Sequence, residues 1–102
     1  MSRLETLRRI AAQRPSDPFP RYGLAMEMRK EGNLEEAALT FAALQADVKD
    51  YVPQYLMHGQ VLVALGRLAE AKVVMEEGVL VAAQKGDSHA GSELKAALDE
   101  LI

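Results

Sequence analysis

Apolar residues recur at helical spacing along nearly the whole chain, and polar residues fill the places between. Leu4, Leu7, Ile10 and Ala11 form one stripe, opened by Ser2-Arg3-Leu4-Glu5 in the form of a capping box and halted before Arg14-Pro15. This predicts a helix over residues 2–14. The run from Pro15 to Pro20 holds three prolines and reads as a stiff turn. Helices are predicted next over about 19–31 and 35–48, the second with Ala37, Phe41, Leu44 and Val48 on one face. Asp50 to Pro53 makes a joint, and helices over about 53–65 and 69–85 follow. The segment from Gln54 to Leu65 is apolar almost all round, which predicts burial on several sides and the centre of the core. Lys85-Gly86-Asp87 stops the fifth helix, and Leu94, Ala97, Leu98 and Leu101 mark an amphipathic sixth over about 88–101. Gly91 costs that helix about 1 kcal/mol against Ala, and Ser92 is an alternative N-cap; the sequence leaves both starts open.

The pattern repeats. Gly32-Asn33-Leu34-Glu35-Glu36-Ala37 returns as Gly66-Arg67-Leu68-Ala69-Glu70-Ala71, 34 residues later. Glycine between two periodic segments ends a helix by entering the left-handed region without a Cβ penalty. The acidic residues that follow suit the first turn of the next helix, where the dipole favours negative charge. Each copy therefore reads as helix, tight turn, helix. The echo continues at the same offset: Leu24 with His58, Ala25 with Gly59, Met28 with Leu62, and Phe41 with Met75. Small residues recur where helices must approach closely and large ones beside them. Such a hairpin cannot bury its apolar face alone, so neighbouring hairpins must stack.

In these positions the chain resembles the tetratricopeptide repeat family, over about residues 4–83. The family's pattern has Trp, Leu-Gly and Tyr on the first helix of each hairpin, helix A, and Ala and Phe on the second, helix B, with a closing Pro. Tyr55, Gly59, Leu62, Ala71 and Met75 hold those places in the second copy, and Leu24, Ala25, Met28, Ala37 and Phe41 in the first. Arg21 stands where the family has Trp, His58 where it has Leu, and Lys49 and Ala83 where it has the closing Pro. The resemblance implies an all-α, right-handed α-solenoid of antiparallel helix hairpins with about six helices. Residues 1–102 then form a single unit: a half-repeat helix at 2–14, repeats at 18–51 and 52–85, and a capping helix at 88–101.

Composition narrows the function classes. Residues 1–30 carry a net charge of +4 and residues 31–102 a net charge of −7, a polarity that would steer a partner or favour head-to-tail stacking if it is more than solvated surface. With no cysteine there is no disulfide framework, thiolate metal site or cysteine nucleophile. No stretch approaches the ~18 apolar residues of a membrane span, and Arg8 and Arg9 break the only early apolar run, so a cytoplasmic protein with no membrane partner is expected. The negative net charge and the lack of aromatics among the N-terminal basic residues argue against nucleic acid.

Candidate chemistry is sparse. His58 and His89 are not in metal-ligand spacing; His58 falls on a core-facing position, read as a packed histidine or a pH-sensitive joint. The pairs Glu35-Glu36, Glu76-Glu77 and Asp99-Glu100 diverge by about 100° on a helix and do not converge on one atom. No enzyme, cofactor, metal or small-molecule substrate is expected. The resemblance instead points to a groove lined by helices A, where another protein or a peptide segment would lie. Carried onto this chain, the groove positions are Phe19, Tyr22, Gly23, Met26, Arg29 and Lys30, then Pro53, Leu56, Met57, Gln60, Val63 and Ala64. Tyr22 and Met26 stand where chaperone-tail-binding members carry Lys and Asn, which argues against a carboxylate clamp. Whether these residues form an open strip or lie covered by the terminal helices is not fixed by the pattern. Self-association as a homodimer through an apolar end face is the alternative role.

Overall fold

The computed structural model describes residues 2–101, so the first and last positions of the 1–102 unit lie outside it. Six helices follow one another: α1 (Arg3–Gln13), α2 (Pro18–Lys30), α3 (Leu34–Asp47), α4 (Pro53–Ala64), α5 (Leu68–Lys85) and α6 (Ser88–Asp99). No strand occurs among the described residues. The protein is an all-α helical repeat.

Local chemistry sets each boundary. The Ser2 hydroxyl accepts from the Glu5 amide and opens α1, and the Asp17 carboxylate accepts from the Phe19 amide and opens α2, with Pro18 in the first turn. Gly32 and Gly66 close α2 and α4 with φ of 84° and 77°. At each turn the next residue reaches back across the helix end, Asn33 N–H to Met28 O at 2.8 Å and Arg67 N–H to Leu62 O at 2.9 Å, so carbonyls that the helix leaves unpaired are satisfied. The start of α6 is now settled: the Asp87 carboxylate accepts from the Ala90 amide, and the helix begins at Ser88.

The helices lie in two layers, and the molecule measures 41 × 29 × 19 Å, its thinnest dimension matching two helix diameters. One layer holds α2, α4 and α6, and the other α1, α3 and α5. Within the first, successive backbones approach closely, α2 to α4 and α4 to α6. Within the second they do not, and long side chains bridge the gap: Arg8 to Glu36 at 2.9 Å, Arg67 to Glu35 at 2.6 Å, and Gln45 to Glu77 at 3.2 Å. The stack therefore curves towards the α2–α4–α6 side, which becomes its inner wall.

Between the hairpins runs an aromatic seam. Tyr22 meets Tyr51 and Phe41 edge-on, with ring centroids 5.5 and 6.1 Å apart, and Phe41 stacks on the His58 ring at 5.7 Å. Phe41 is fully buried. Where the family has Trp, the two copies use different residues for one task. The Tyr55 hydroxyl donates to the Lys49 carbonyl at 2.7 Å, and 34 residues earlier the Arg21 guanidinium donates to the Pro15 carbonyl at 3.1 Å. Each fastens helix A to the joint that precedes it. Burial, then the nearby Glu77 and Asp50 carboxylates, push the Tyr55 phenol up to about 12, so it stays a donor at any ordinary pH.

Gly78 marks the tightest contact. A Cβ there would stand 2.6 Å from Tyr55 Cβ and 3.0 Å from Leu94 Cδ1, whereas at Gly91 the nearest atom, Ala82 Cβ, is 3.8 Å away. Gly78→Ala is expected to destabilise the fold by about 2 kcal/mol despite the better helix former, because α4, α5 and α6 must part. Gly91→Ala is expected to stabilise it by about 0.5–1 kcal/mol. Urea unfolding of the two variants beside the parent measures both signs.

Candidate functional site

The inner wall gathers the helix-A positions. Tyr22, Met26, Arg29, Leu56, Met57 and Gln60 are half-buried along it, and Phe19, Lys30, Pro53, Val63 and Ala64 are exposed. Tyr22, Met26, Leu56 and Met57 all pack their inner sides against the core. Strip and core are thus the same residues seen from two sides.

Three hollows follow the wall. The largest, ≈ 580 Å³, lies between α1 and α2 and is lined by Leu7, Ile10, Phe19, Tyr22, Gly23 and Met26, with Arg3, Arg14 and Lys30 among its charged borders. A second, ≈ 270 Å³, lies between Leu56 and Met57 of α4 and the start of α6. A third, ≈ 410 Å³, lies at the other end of the same helices, beside Arg29, Gln60 and Leu101. The terminal helices therefore act differently: α6 stands against the α4 part of the wall, while α1 flanks the α2 part and leaves the broader opening.

Arg29 and Lys30, neighbours in sequence, have different roles. The Arg29 guanidinium crosses to α4, donating to Gln60 Oε1 at 2.9 Å and meeting Met57 Sδ at 3.2 Å, so it forms part of the wall. Lys30 stands exposed at the edge. Burial raises the Tyr22 phenol above its ordinary range, against the pull of Arg29, so it is neutral at physiological pH. Sequence reasoning missed Glu27, whose buried carboxylate forms an ion pair with the exposed Arg3 at 3.2 Å on the groove's border. A signal was present: the residue 34 positions on is Val61, which is fully buried.

His58 is enclosed at 6% exposure. Its Nδ1 lies 3.1 Å from Gln45 Oε1, and the Gln45 amide nitrogen is already donating to Glu77, so Nδ1 is the nitrogen that donates in this pair. Burial lowers its pKa to about 4. Among the described residues no group of three or more His, Cys, Asp or Glu side chains could hold a metal ion, and no helix is long and apolar enough to cross a membrane.

No protein-family profile matches the chain, and no curated protein matches it. Solved structures do. The solution structure of a tetratricopeptide repeat domain protein from Salinibacter ruber is 34% identical, covers 85% of this chain and 88% of its own, and superposes with a TM-score of 0.81. The chain belongs to the tetratricopeptide repeat family. The crystal structure of a tetratricopeptide repeat domain protein from the same organism agrees, at 34% identity, 83% and 96% coverage and a TM-score of 0.79. A protein from Bordetella parapertussis, 23% identical over 99% of this chain and 88% of its own, shares the fold with a TM-score of 0.83. As a tetratricopeptide repeat protein the chain is a helical-repeat interaction module, on a fold that points to scaffolding and away from catalysis.

The buried histidine gives this repeat protein an acid response. Above pH 6.5 the ring is neutral in both folded and unfolded chains. As pH falls below 6.5 the unfolded chain takes up a proton that the folded one refuses until about pH 4, so stability drops by up to about 3 kcal/mol across that window. Thermal melts between pH 7.5 and 4 are expected to show the loss, and His58→Leu is expected to flatten it relative to the parent.

Proposed function

We propose that the protein holds a segment of a partner protein along its inner wall, with Tyr22, Met26 and Met57 as anchors and Lys30 as a rim charge. Phe19, Leu56 and Gln60 border the same path, and Arg29 keeps its α4 side in place. The observation that carries this reading is the open α1–α2 groove: its lining is largely apolar, and Phe19 beside it is 70% exposed. Apolar surface in a concave setting is where association removes most water from contact. The rim charge would speed encounter more than it would tighten the complex. Its expected setting is the cytoplasm.

Met26→Glu and Met57→Glu place a charge on two half-buried wall residues whose inner sides touch the core, so melting curves accompany the test. The new carboxylate at position 26 stands four residues from Lys30, and the one at 57 meets Arg29. A partner captured by the parent protein is expected to be lost from both variants while their melting curves stay within a few degrees of the parent. Retention of the partner by both would exclude the wall as the site.

A second reading, self-association, rests on the opposite face. Leu39 on α3 and Val73 and Leu80 on α5 are 69%, 62% and 65% exposed, and Leu39 and Val73 are one period apart. If this face pairs with itself, light scattering over a hundredfold concentration range will show a dimer that Leu39→Lys with Val73→Lys dissolves; a monomer throughout removes this reading.

A further inference from the structure

Each helix A of the two hairpins sits in a socket with two walls, its own helix B and the next helix of the inner layer. Thus α2 lies against α3 and α4, and α4 lies against α5 and α6. The helices α1 and α2 form the same pair of walls one step earlier, and no helix fills the space among the described residues. The correspondence holds residue by residue. The α2 helix is held by Phe41 of α3, through Tyr22, and by Met57 and Gln60 of α4, through Arg29. Shifted back by one period of 34, these positions are Leu7, Gly23 and Met26, and all three line the open groove. Met75, against which Gly59 of α4 packs, falls on Leu7 again after two periods. Where α4 carries Met57, α2 carries Gly23, so this wall is cut back by a side chain's depth.

The charges on the walls select the guest. The two acidic groups at the groove are already engaged: Glu27 is ion-paired with Arg3, and Asp17 caps α2. Arg14, at the end of α1, and Lys30, at the end of α2, take part in no ion pair among the described residues. Because α1 and α2 run antiparallel, these two cations stand at opposite ends of the groove. Inner-layer helices here are 13, 12 and 12 residues long. Resting on the inner-wall reading above, we propose that this groove, open among the described residues, receives an amphipathic helix of a partner protein in the manner of a helix A, about 12 residues and ~18 Å long, with an apolar stripe and a carboxylate near each end.

The probe is a fluorescein-labelled synthetic peptide of residues 53–64, itself a helix A, with two glutamates added at each end; a twin carries lysines in their place. Anisotropy titration of the full chain at low salt is expected to show saturable micromolar binding of the acidic peptide and at least tenfold weaker binding of the basic one. Arg14→Glu with Lys30→Glu is expected to reverse that preference. Gly23→Met restores the side chain that α4 carries, improves helix propensity and fills the socket; it is expected to weaken the acidic peptide at least tenfold with an unchanged or higher melting temperature. Amide shifts on binding are expected at Leu7, Gly23 and Met26. Absence of saturable binding, equal binding of the two peptides, or full binding by Gly23→Met overturns the proposal, and the double charge variant decides the matter if Gly23→Met does not fold. Shifts confined to Leu56 and Met57 overturn the socket and leave the inner-wall reading standing, while shifts only on the outer faces of α3 and α5 overturn both. Shifts at Leu7, Gly23 and Met26 that grow with protein concentration in the absence of peptide make a second copy the occupant, and overturn the partner helix.

Discussion

Phe41 is the point on which the two hairpins turn. It has no contact with water, and it touches Tyr22 of its own hairpin and His58 of the next. Burying a phenylalanine contributes about 2–3 kcal/mol, a sizeable share of what a domain of this size has to spare. Its ring also sets a distance. Where α3 of one hairpin meets α4 of the next, the Phe41 ring lies flat on His58 at 5.7 Å and so holds the two hairpins apart by about a ring's thickness. A shorter residue would let α4 settle towards α3 and change the opening on the inner wall. Stability and the shape of the inner wall therefore share this contact.

The inner wall follows from that spacing together with the repeat. Within the second hairpin α4 comes close to α5 because Gly59 presents no side chain towards Met75, and Ala25 is the small residue one period earlier on α2; larger neighbours then project along the wall. The same economy explains Arg29. A guanidinium on a half-buried face needs partners, and α4 supplies an amide oxygen and a thioether within reach. What remains free is charge at the margins and apolar surface between. That division is the one the proposed recognition calls on, an apolar part to hold a guest and charges to orient it.

Much of this was legible in the residues. The 34-residue echo placed six helices to within about two residues, and the glycines at 32 and 66 take the left-handed conformation that their place between two stripes required. His58 and Phe41 were assigned to the core by their position in the period, and both lie there. Features that depend on how far a long side chain reaches were not legible. Arg29 reads as a rim charge until α4 is set beside it, and Arg21 reads as a departure from the family until its bond to Pro15 is seen to match that of Tyr55. The unequal cover given by α1 and α6 was hidden as well. Both are amphipathic helices in sequence, and only the packing of the stack tells that one leaves a groove and the other narrows one.

The two layers are joined by different means, and this gives the molecule a mechanical character. Backbones grip one another along the inner layer, while the outer layer is tied by exposed ion pairs and an amide. Exposed pairs of this kind contribute little and weaken as salt rises. Bending that spreads the outer layer thus meets slight resistance, and bending that compresses the inner layer meets side chains already in contact. The body is a leaf spring with one stiff leaf and one compliant leaf, and salt loosens the compliant one a little further.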